Sequence, residues 1–210
     1  MYRHFFKRLL DIVLSFLAML ILSPIFIIIC LYVGFTMGWP VFFGQERIGK
    51  DEKPFKLYKF RSMTNKKGID GNLLPENERL TKAGILLRNS SLDELPELWA
   101  IFIGKMSFVG PRPMPTYYAP YFLPSERKRH TVRGGLIPPD SLSGKALTTY
   151  EEQFRYECEY VDNISLVLDI RVIFTTFKVL LKRVEDDYGT CERPHLNVYR
   201  KNMAIRNNEL

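Results

Sequence analysis

Between Leu9 and Met37 the chain is an almost unbroken run of Leu, Ile, Val, Phe and Met, and few folds can absorb such a segment. It is longer than the ~20 apolar residues that a hydrocarbon core calls for. A cleaved leader also begins basic and turns apolar, but it ends at a small-residue cleavage site. This run instead passes into Gly38-Trp39-Pro40 and reads as a membrane helix. Ser23-Pro24 lies near its middle. Proline lacks the N–H that a helix needs and clashes with the carbonyl four residues back, so a kink or break is expected there. Ser23 helps if its hydroxyl bonds the orphaned carbonyl. Each half is then about 13–14 residues, or roughly 20 Å, too short to cross alone. Arg3, Lys7 and Arg8 precede the run; Arg47, Lys50, Lys53, Lys56, Lys59 and Arg61 follow it. Basic flanks mark the cytoplasmic side, and both flanks are basic, which favours a re-entrant helix over a spanning one. Asp11 would be costly alone inside the run, and Lys7, one turn earlier, is its expected partner.

The net charge of +7 over 210 residues favours a polyanionic partner. A nucleic acid is the first candidate, but the membrane segment and the lack of a helix-turn-helix, RRM or zinc motif argue against it. Cys30, Cys158 and Cys191 have no metal-ligand spacing, and an odd number does not suit a disulfide framework; a reducing, cytoplasm-facing setting follows.

After the run, Val41–Phe43 and Phe55–Met63 read as strands of a short antiparallel hairpin around Lys50-Asp51-Glu52. Asn65–Pro75 reads as a loop, Glu78–Arg88 as a helix, and a second helix is expected from Ser91 to Phe102. Tyr117–Phe122 is a short aromatic segment and Ser125–His130 a short basic helix. Thr149 and Glu152 form a capping-box pattern. Ser165–Lys182 is amphipathic, and its stripe of Leu166, Ile170, Ile173, Phe174, Phe177 and Leu181 is read as core in preference to membrane surface. Beyond Val184 the chain reads as a loosely held polar tail. The expected fold is α/β mixed and mostly helical. It comprises a re-entrant, Ser-Pro-broken membrane helix over 1–38, a small catalytic domain with a short hairpin over 39–183, and a polar C-terminal tail over 184–210.

Candidate chemistry concentrates in Ser90-Ser91-Leu92-Asp93-Glu94-Leu95-Pro96-Glu97-Leu98-Trp99 and Gly110-Pro111-Arg112-Pro113. Ser91 to Glu94 fits S-x-x-E, so Glu94 can be read as a helix cap and Asp93 as a complement to the helix dipole. The other reading makes the pair a nucleophile and metal site at a helix N-terminus that also favours a bound phosphate. A carboxylate can attack phosphorus and split one transfer into two steps. Magnesium suits one or two carboxylates shared with substrate phosphates. Arg112, stiffened by flanking prolines, suits a grip on phosphate oxygens, with a surface ion pair as the alternative. Lys59, Arg61 and Arg88 could add positive charge around a diphosphate.

Six motifs then occur in order: Lys7-Arg8-Leu9-Leu10-Asp11, Ser23-Pro24, Gln45-Glu46-Arg47-Ile48-Gly49, Lys59-Phe60-Arg61-Ser62-Met63, Ser91-Leu92-Asp93-Glu94-Leu95-Pro96 and Val109-Gly110-Pro111-Arg112-Pro113. Over about residues 3–180 the chain resembles the bacterial sugar transferases, the monotopic phosphoglycosyl transferases that begin glycoconjugate assembly. The resemblance implies a re-entrant helix in the bacterial inner membrane with the catalytic domain on its cytoplasmic face. It also implies Mg2+, a UDP-sugar donor and a polyprenyl (undecaprenyl) phosphate acceptor. By it, Asp93 attacks the β-phosphate, releases UMP and carries the phosphosugar, with Asp93 also reaching the metal. Glu94 holds the site and assists the acceptor phosphate. Arg112 binds phosphate, with Lys59 and Arg88 as further contacts. Membrane placement makes a homodimer geometrically easy. The chain departs from the family pattern at Gly104-Lys105, where Gly-Asp is usual. It departs again at Arg133-Gly134-Gly135-Leu136-Ile137-Pro138-Pro139-Asp140, where Arg-Pro-Gly-Ile-Thr-Gly is usual. If that loop, beginning at Arg133, contacts the donor, donor choice changes with it. A catalytically lapsed member acting as a membrane scaffold or regulator is the competing reading.

Overall fold

The computed structural model describes residues 1–145, 147–185 and 193–208. The chain divides into two compact units. An anchor unit takes Ile12–Gln45 and Lys56–Ile103, and a body unit takes Met1–Asp11, Glu46–Phe55 and the chain from Gly104 onward.

Helix α1 runs from Lys7 to Met37, preceded by a π-helical turn at Tyr2–Phe6. It is continuous across Pro24, where the sequence predicts a kink or break. The local chemistry explains the continuity. Pro24 leaves the Leu20 carbonyl without its helical donor, and the Ser23 hydroxyl donates to that carbonyl at 2.8 Å. Among the described residues this is the one helix long and apolar enough to cross a membrane, and little of it is buried. Leu20, Ile21, Ile27, Ile28 and Phe35 all project outward.

In the anchor unit, the C-terminal half of α1 packs Ile29 and Val33 against Val41, Phe60 and Leu87. The Phe26, Phe42 and Phe60 rings form a cluster with centroids 4.9–5.9 Å apart. Strands β1 (Phe42–Ile48) and β2 (Pro54–Phe60) form the expected hairpin, whose turn end, Glu46–Phe55, is counted with the body unit. Helices α2 (Glu76–Arg79) and α3 (Lys82–Asn89) replace the single helix expected over 78–88. They are separate because Thr81 is extended and caps α3, its side chain accepting from the Gly84 N–H at 2.9 Å. A 3-10 turn (Leu92–Glu94) and α4 (Glu97–Phe102) follow in place of one helix from Ser91.

In the body unit, β3 (Met106–Val109) pairs in parallel with β4 (Gly134–Ile137), Met106 opposite Gly134 and Val109 opposite Ile137. A methyl group at Gly135 would lie 2.1 Å from the Gly110 nitrogen, so this crossing needs glycine. The segment that departs from the family pattern is therefore largely a strand built for close backbone approach. Helix α5 (Tyr150–Asp162) opens with the expected capping box, Thr149 and Glu152 bonding reciprocally. Helix α6 (Leu166–Glu185) corrects the sequence reading. Its stripe faces outward, Phe174 and Phe177 being more than 60% exposed, while Asp169 and Val172 are buried. Amphipathic periodicity locates an apolar face but not what covers it, and here the polar Asp169 takes the inward position.

The C-terminal stretch also departs from expectation. Residues 186–192, with Cys191, lie outside the described residues, but α7 (Leu196–Asn208) docks on the body. Leu196 is fully buried in the core formed by Ile48, Met114, Tyr118, Phe122, Tyr150 and Phe154. Arg193 lies over the Tyr150 ring, 3.7 Å from its centroid, and donates to Gln153 at 2.7 Å. One buried leucine and a cation–π contact hold a segment whose average composition is polar.

Residues 2–11 belong to the body as well. The Asp169 carboxylate accepts from Tyr2 Oη at 2.5 Å, Lys7 Nζ at 2.6 Å and Tyr160 Oη at 2.6 Å. Lys7 thus pairs with Asp169 instead of bonding Asp11. Asp11 Oδ1 accepts from the Ser107 hydroxyl and the Phe108 N–H, both at 3.0 Å.

Candidate active site

The anchor unit assembles the acidic pair from three elements. Ser91 adopts a left-handed conformation (φ +53°) and its side chain makes no capping bond, so the S-x-x-E box does not form. The strained residue turns the chain into the 3-10 turn that carries Asp93 and Glu94, and Pro96 then starts α4. Glu94 receives Lys59 Nζ from β2 at 2.5 Å, and the same ammonium lies 3.2 Å from Glu97. Glu97, three residues past Glu94, is nearly buried and was missed as a site member. Its signal was the one-turn spacing, which brings carboxylates together on a helical face.

Asp93 is 8% exposed. Burial raises its pKa above the ordinary carboxylate range, Lys59 and Arg88 oppose that shift, and Glu94 adds to it. The aspartate is thus a desolvated carboxylate beside two cations, a setting suited to nucleophilic attack at neutral pH. Arg88 is aimed by a close backbone contact. A methyl group at Gly84 would fall 1.8 Å from the Ser62 carbonyl oxygen, so only glycine lets α3 approach β2's exit. That approach puts Arg88 Nε 3.0 Å from Ser62 Oγ.

Arg61 has a different setting. It is buried, and its Nη2 donates to the Met37 and Gly38 carbonyls at the end of α1. There it satisfies carbonyls that a helix C-terminus leaves open.

Arg112 and Arg133 belong to the body unit. Arg112 is exposed between buried Pro111 and Pro113, and its backbone is held from both sides. Its N–H donates to Glu157 Oε1 at 2.8 Å, and its carbonyl accepts from Arg129 Nη2 at 2.6 Å. Arg129 and Glu157 are themselves fully buried and paired at 2.6 Å, with Gln153 donating to Glu157 at 3.0 Å. Arg129 also lies against the Phe122 and Phe154 rings and 3.1 Å from His130 Nε2. His130 is pushed down to about 4 by burial and by Arg129, so it is neutral and its Nε2 accepts. This scaffold behind Pro-Arg-Pro was invisible to motif reading, because Arg129, Gln153 and Glu157 are ordinary residues of helical segments. Arg133 Nε donates to the Gly104 carbonyl at 2.8 Å. It lines a polar cavity of about 220 Å³ with Arg3, Lys7, Arg8 and Lys50.

Among the described residues no three His, Cys, Asp or Glu side chains form a cluster able to hold a metal by themselves. Magnesium commonly needs only one or two carboxylates when it shares substrate phosphates and keeps its waters. Asp93 fits that limited role, while Glu94 and Glu97 are engaged by Lys59.

The profile of the family described as "Bacterial sugar transferase" matches residues 2–183. "Uncharacterized sugar transferase EpsL" of Bacillus subtilis (strain 168) is 39% identical over 175 residues, covering 83% of this chain and 87% of that protein. The UDP-glucose:undecaprenyl-phosphate glucose-1-phosphate transferase of Klebsiella pneumoniae is 36% identical, over 85% of this chain and 41% of its own length. The UDP-N-acetylgalactosamine-undecaprenyl-phosphate N-acetylgalactosaminephosphotransferase of Aeromonas hydrophila is 31% identical, over 84% of this chain and 44% of its own length. This chain therefore spans less than half of these last two relatives, which are named for different donor sugars. The match over residues 2–183 joins the apolar helix α1, the Asp93-Glu94 turn and Pro111-Arg112-Pro113 in one profile, and the chain belongs to the bacterial sugar transferase family.

Proposed function

We propose that this chain transfers a sugar-1-phosphate from a UDP-sugar to polyprenyl (undecaprenyl) phosphate, releasing UMP, through a phosphosugar carried on Asp93. The observation that carries the reading is Asp93 itself, a buried carboxylate beside Lys59 and Arg88 on a turn strained at Ser91. In the first step an Asp93 oxygen bonds the donor β-phosphorus, and the bond from that phosphorus to the bridging oxygen breaks. UMP leaves with the electron pair. In the second step an oxygen of the acceptor phosphate attacks the same phosphorus, the acyl-phosphate bond breaks, and the carboxylate is restored. Lys59 holds Glu94 beside the nucleophile, where it can take a proton from the acceptor phosphate. Magnesium, bound by Asp93 together with the donor phosphates, would supply positive charge for the diphosphate. Arg112 is assigned to phosphate by its motif and by a backbone clamped at both N–H and C=O.

The membrane reading follows from how α1 is tied at each end. Its N-terminal turns bond Asp169, Ser107 and Phe108, and its C-terminal carbonyls bond Arg61. Both sets of partners follow α1 in the chain, and among the described residues no later helix is apolar enough to cross. These ties support a re-entrant α1, bending at Ser23-Pro24 within the bilayer, with both basic flanks and the catalytic residues on the cytoplasmic face. The outward stripe of α6 suits a helix lying in the headgroup region.

The test is UMP release from a panel of UDP-sugars with Mg2+ and polyprenyl phosphate. Release with one sugar, abolished in Asp93→Asn while the protein stays folded and membrane-bound, is the expected result. Near-native turnover in Asp93→Asn removes Asp93 as nucleophile, and no release from any donor favours the lapsed-scaffold reading.

A further inference from the structure

Beside the acidic turn, the anchor unit carries an apolar groove of about 540 Å³, within the roughly 300–1,000 Å³ usual for ligand sites. One wall is α1, through Leu22, Phe26 and Ile27; the facing walls include Tyr58 of β2 and Leu95, Pro96 and Trp99 around α4's start. No charged side chain lines it, and the Ser23 hydroxyl at its edge is already bonded within α1. Ile27, Tyr58 and Trp99 are each about half exposed, so the groove is open.

We propose that this groove binds the first isoprene units of the lipid acceptor and thereby sets where its phosphate arrives. The inference rests on the transferase reading above. Three observations select this occupant. The groove's α1 wall is the apolar segment itself, so a ligand reaches it from lipid. Its other walls adjoin the chemistry in sequence: Leu95 and Pro96 directly follow Asp93-Glu94, and Tyr58 directly precedes Lys59, which pairs with Glu94. A hydrocarbon chain seated here has its polar end toward the turn that carries Asp93 and Glu94 beside Lys59. A UDP-sugar is polar throughout and has nothing to bury among rings and aliphatic side chains. The lining of Phe, Trp, Tyr, Leu and Ile suits a stiff, methyl-branched chain.

The experiment uses the full chain in lipid nanodiscs with Ile27→Trp, which narrows the groove, and Trp99→Ala, which widens it. Phe35→Trp, outward-facing on α1 and outside the groove, is the control. Three quantities are read: the acceptor KM, the donor KM, and the burst of UMP formed without acceptor. Ile27→Trp is expected to raise the acceptor KM about tenfold, with the donor KM and the burst retained. Trp99→Ala is expected to lose preference for a long-chain over a two-isoprene acceptor. An unchanged acceptor KM in Ile27→Trp with the burst intact overturns the proposal, as does an equal rise in Phe35→Trp, which would mean that bulk lipid fills the groove. If Ile27→Trp has no burst, Trp99→Ala decides, and unaltered chain-length preference there overturns the proposal. A wild-type protein without any burst takes down the transferase reading and the groove's role together.

Discussion

Replacing Glu157 by glutamine should cost the body unit about 3 kcal/mol, at the low end of the 3–5 kcal/mol typical of a buried pair that loses one partner. The two Glu157 oxygens accept from Arg129 Nε, Gln153 Nε2 and the Arg112 N–H. Both charged side chains are fully buried, so a neutral amide leaves the guanidinium desolvated without a counter-charge. One of the three donors would also face the new NH2 group. The low end applies because Arg129 keeps its bonds to the Arg112 carbonyl and His130, and its contacts with two phenyl rings. At roughly 2–4 °C per kcal/mol for a chain of this size, Tm should fall by roughly 6–12 °C. Thermal melts of the full chain in detergent, followed by circular dichroism, measure it. The same substitution loosens Pro111-Arg112-Pro113, so the donor KM should rise while UMP release remains detectable. Arg129→Met/Glu157→Met should lose less stability than the sum of its singles, by more than about 1 kcal/mol. A Tm change under about 2 °C in Glu157→Gln, or strict additivity in the cycle, would refute the reasoning.

Lys59→Met removes a charge that lowers the Asp93 pKa, so the acidic limb of the pH–rate profile should move to higher pH; an unmoved limb separates Lys59 from Asp93 ionisation. His130 titrates at about 4 in the fold against its ordinary 6.5, so the unfolded chain takes up that proton first as pH falls. Its stability contribution is complete above about 6.5 and is lost as pH falls toward about 4, and His130→Gln should flatten that part of the Tm–pH curve. Gly84→Ala should destabilise by about 1–3 kcal/mol through the clash with the Ser62 carbonyl, and should cut turnover by displacing Arg88. Unaltered melting and turnover would mean that α3 shifts freely.

The features legible in the sequence were those written in local patterns. The apolar run, the hairpin and the Thr149 capping box all appear in the structure. Ser23 was expected to serve the carbonyl that Pro24 orphans, and it does, and α1 stays helical through Pro24 instead of breaking there. Partner choice at long range was not legible. Lys7 sits one turn from Asp11 in sequence, but Asp169 and Ser107 lie more than 90 residues farther on and decide both pairings. The α6 stripe was assigned to the core because periodicity reports a face without its surroundings. Arg61 shares a basic motif with Lys59, and only the position of the α1 terminus separates their roles.

The knot of hydrogen bonds at Asp169 also bears on biosynthesis. Tyr2 and Lys7 leave the ribosome more than 160 residues ahead of the carboxylate that fixes them. At roughly 5–20 residues per second that gap lasts about ten to thirty seconds. On the membrane reading proposed above, α1 meets lipid during that interval, while the carboxylate that later fastens residues 2 and 7 does not yet exist. On that reading the bilayer holds the first turns of the nascent helix through the interval, and residues 2–7 are fastened when α6 is translated and Asp169 closes on them. A substitution at Asp169 should therefore show first as a mixture of N-terminal orientations in newly made protein, before any loss appears in the protein that reaches the native fold.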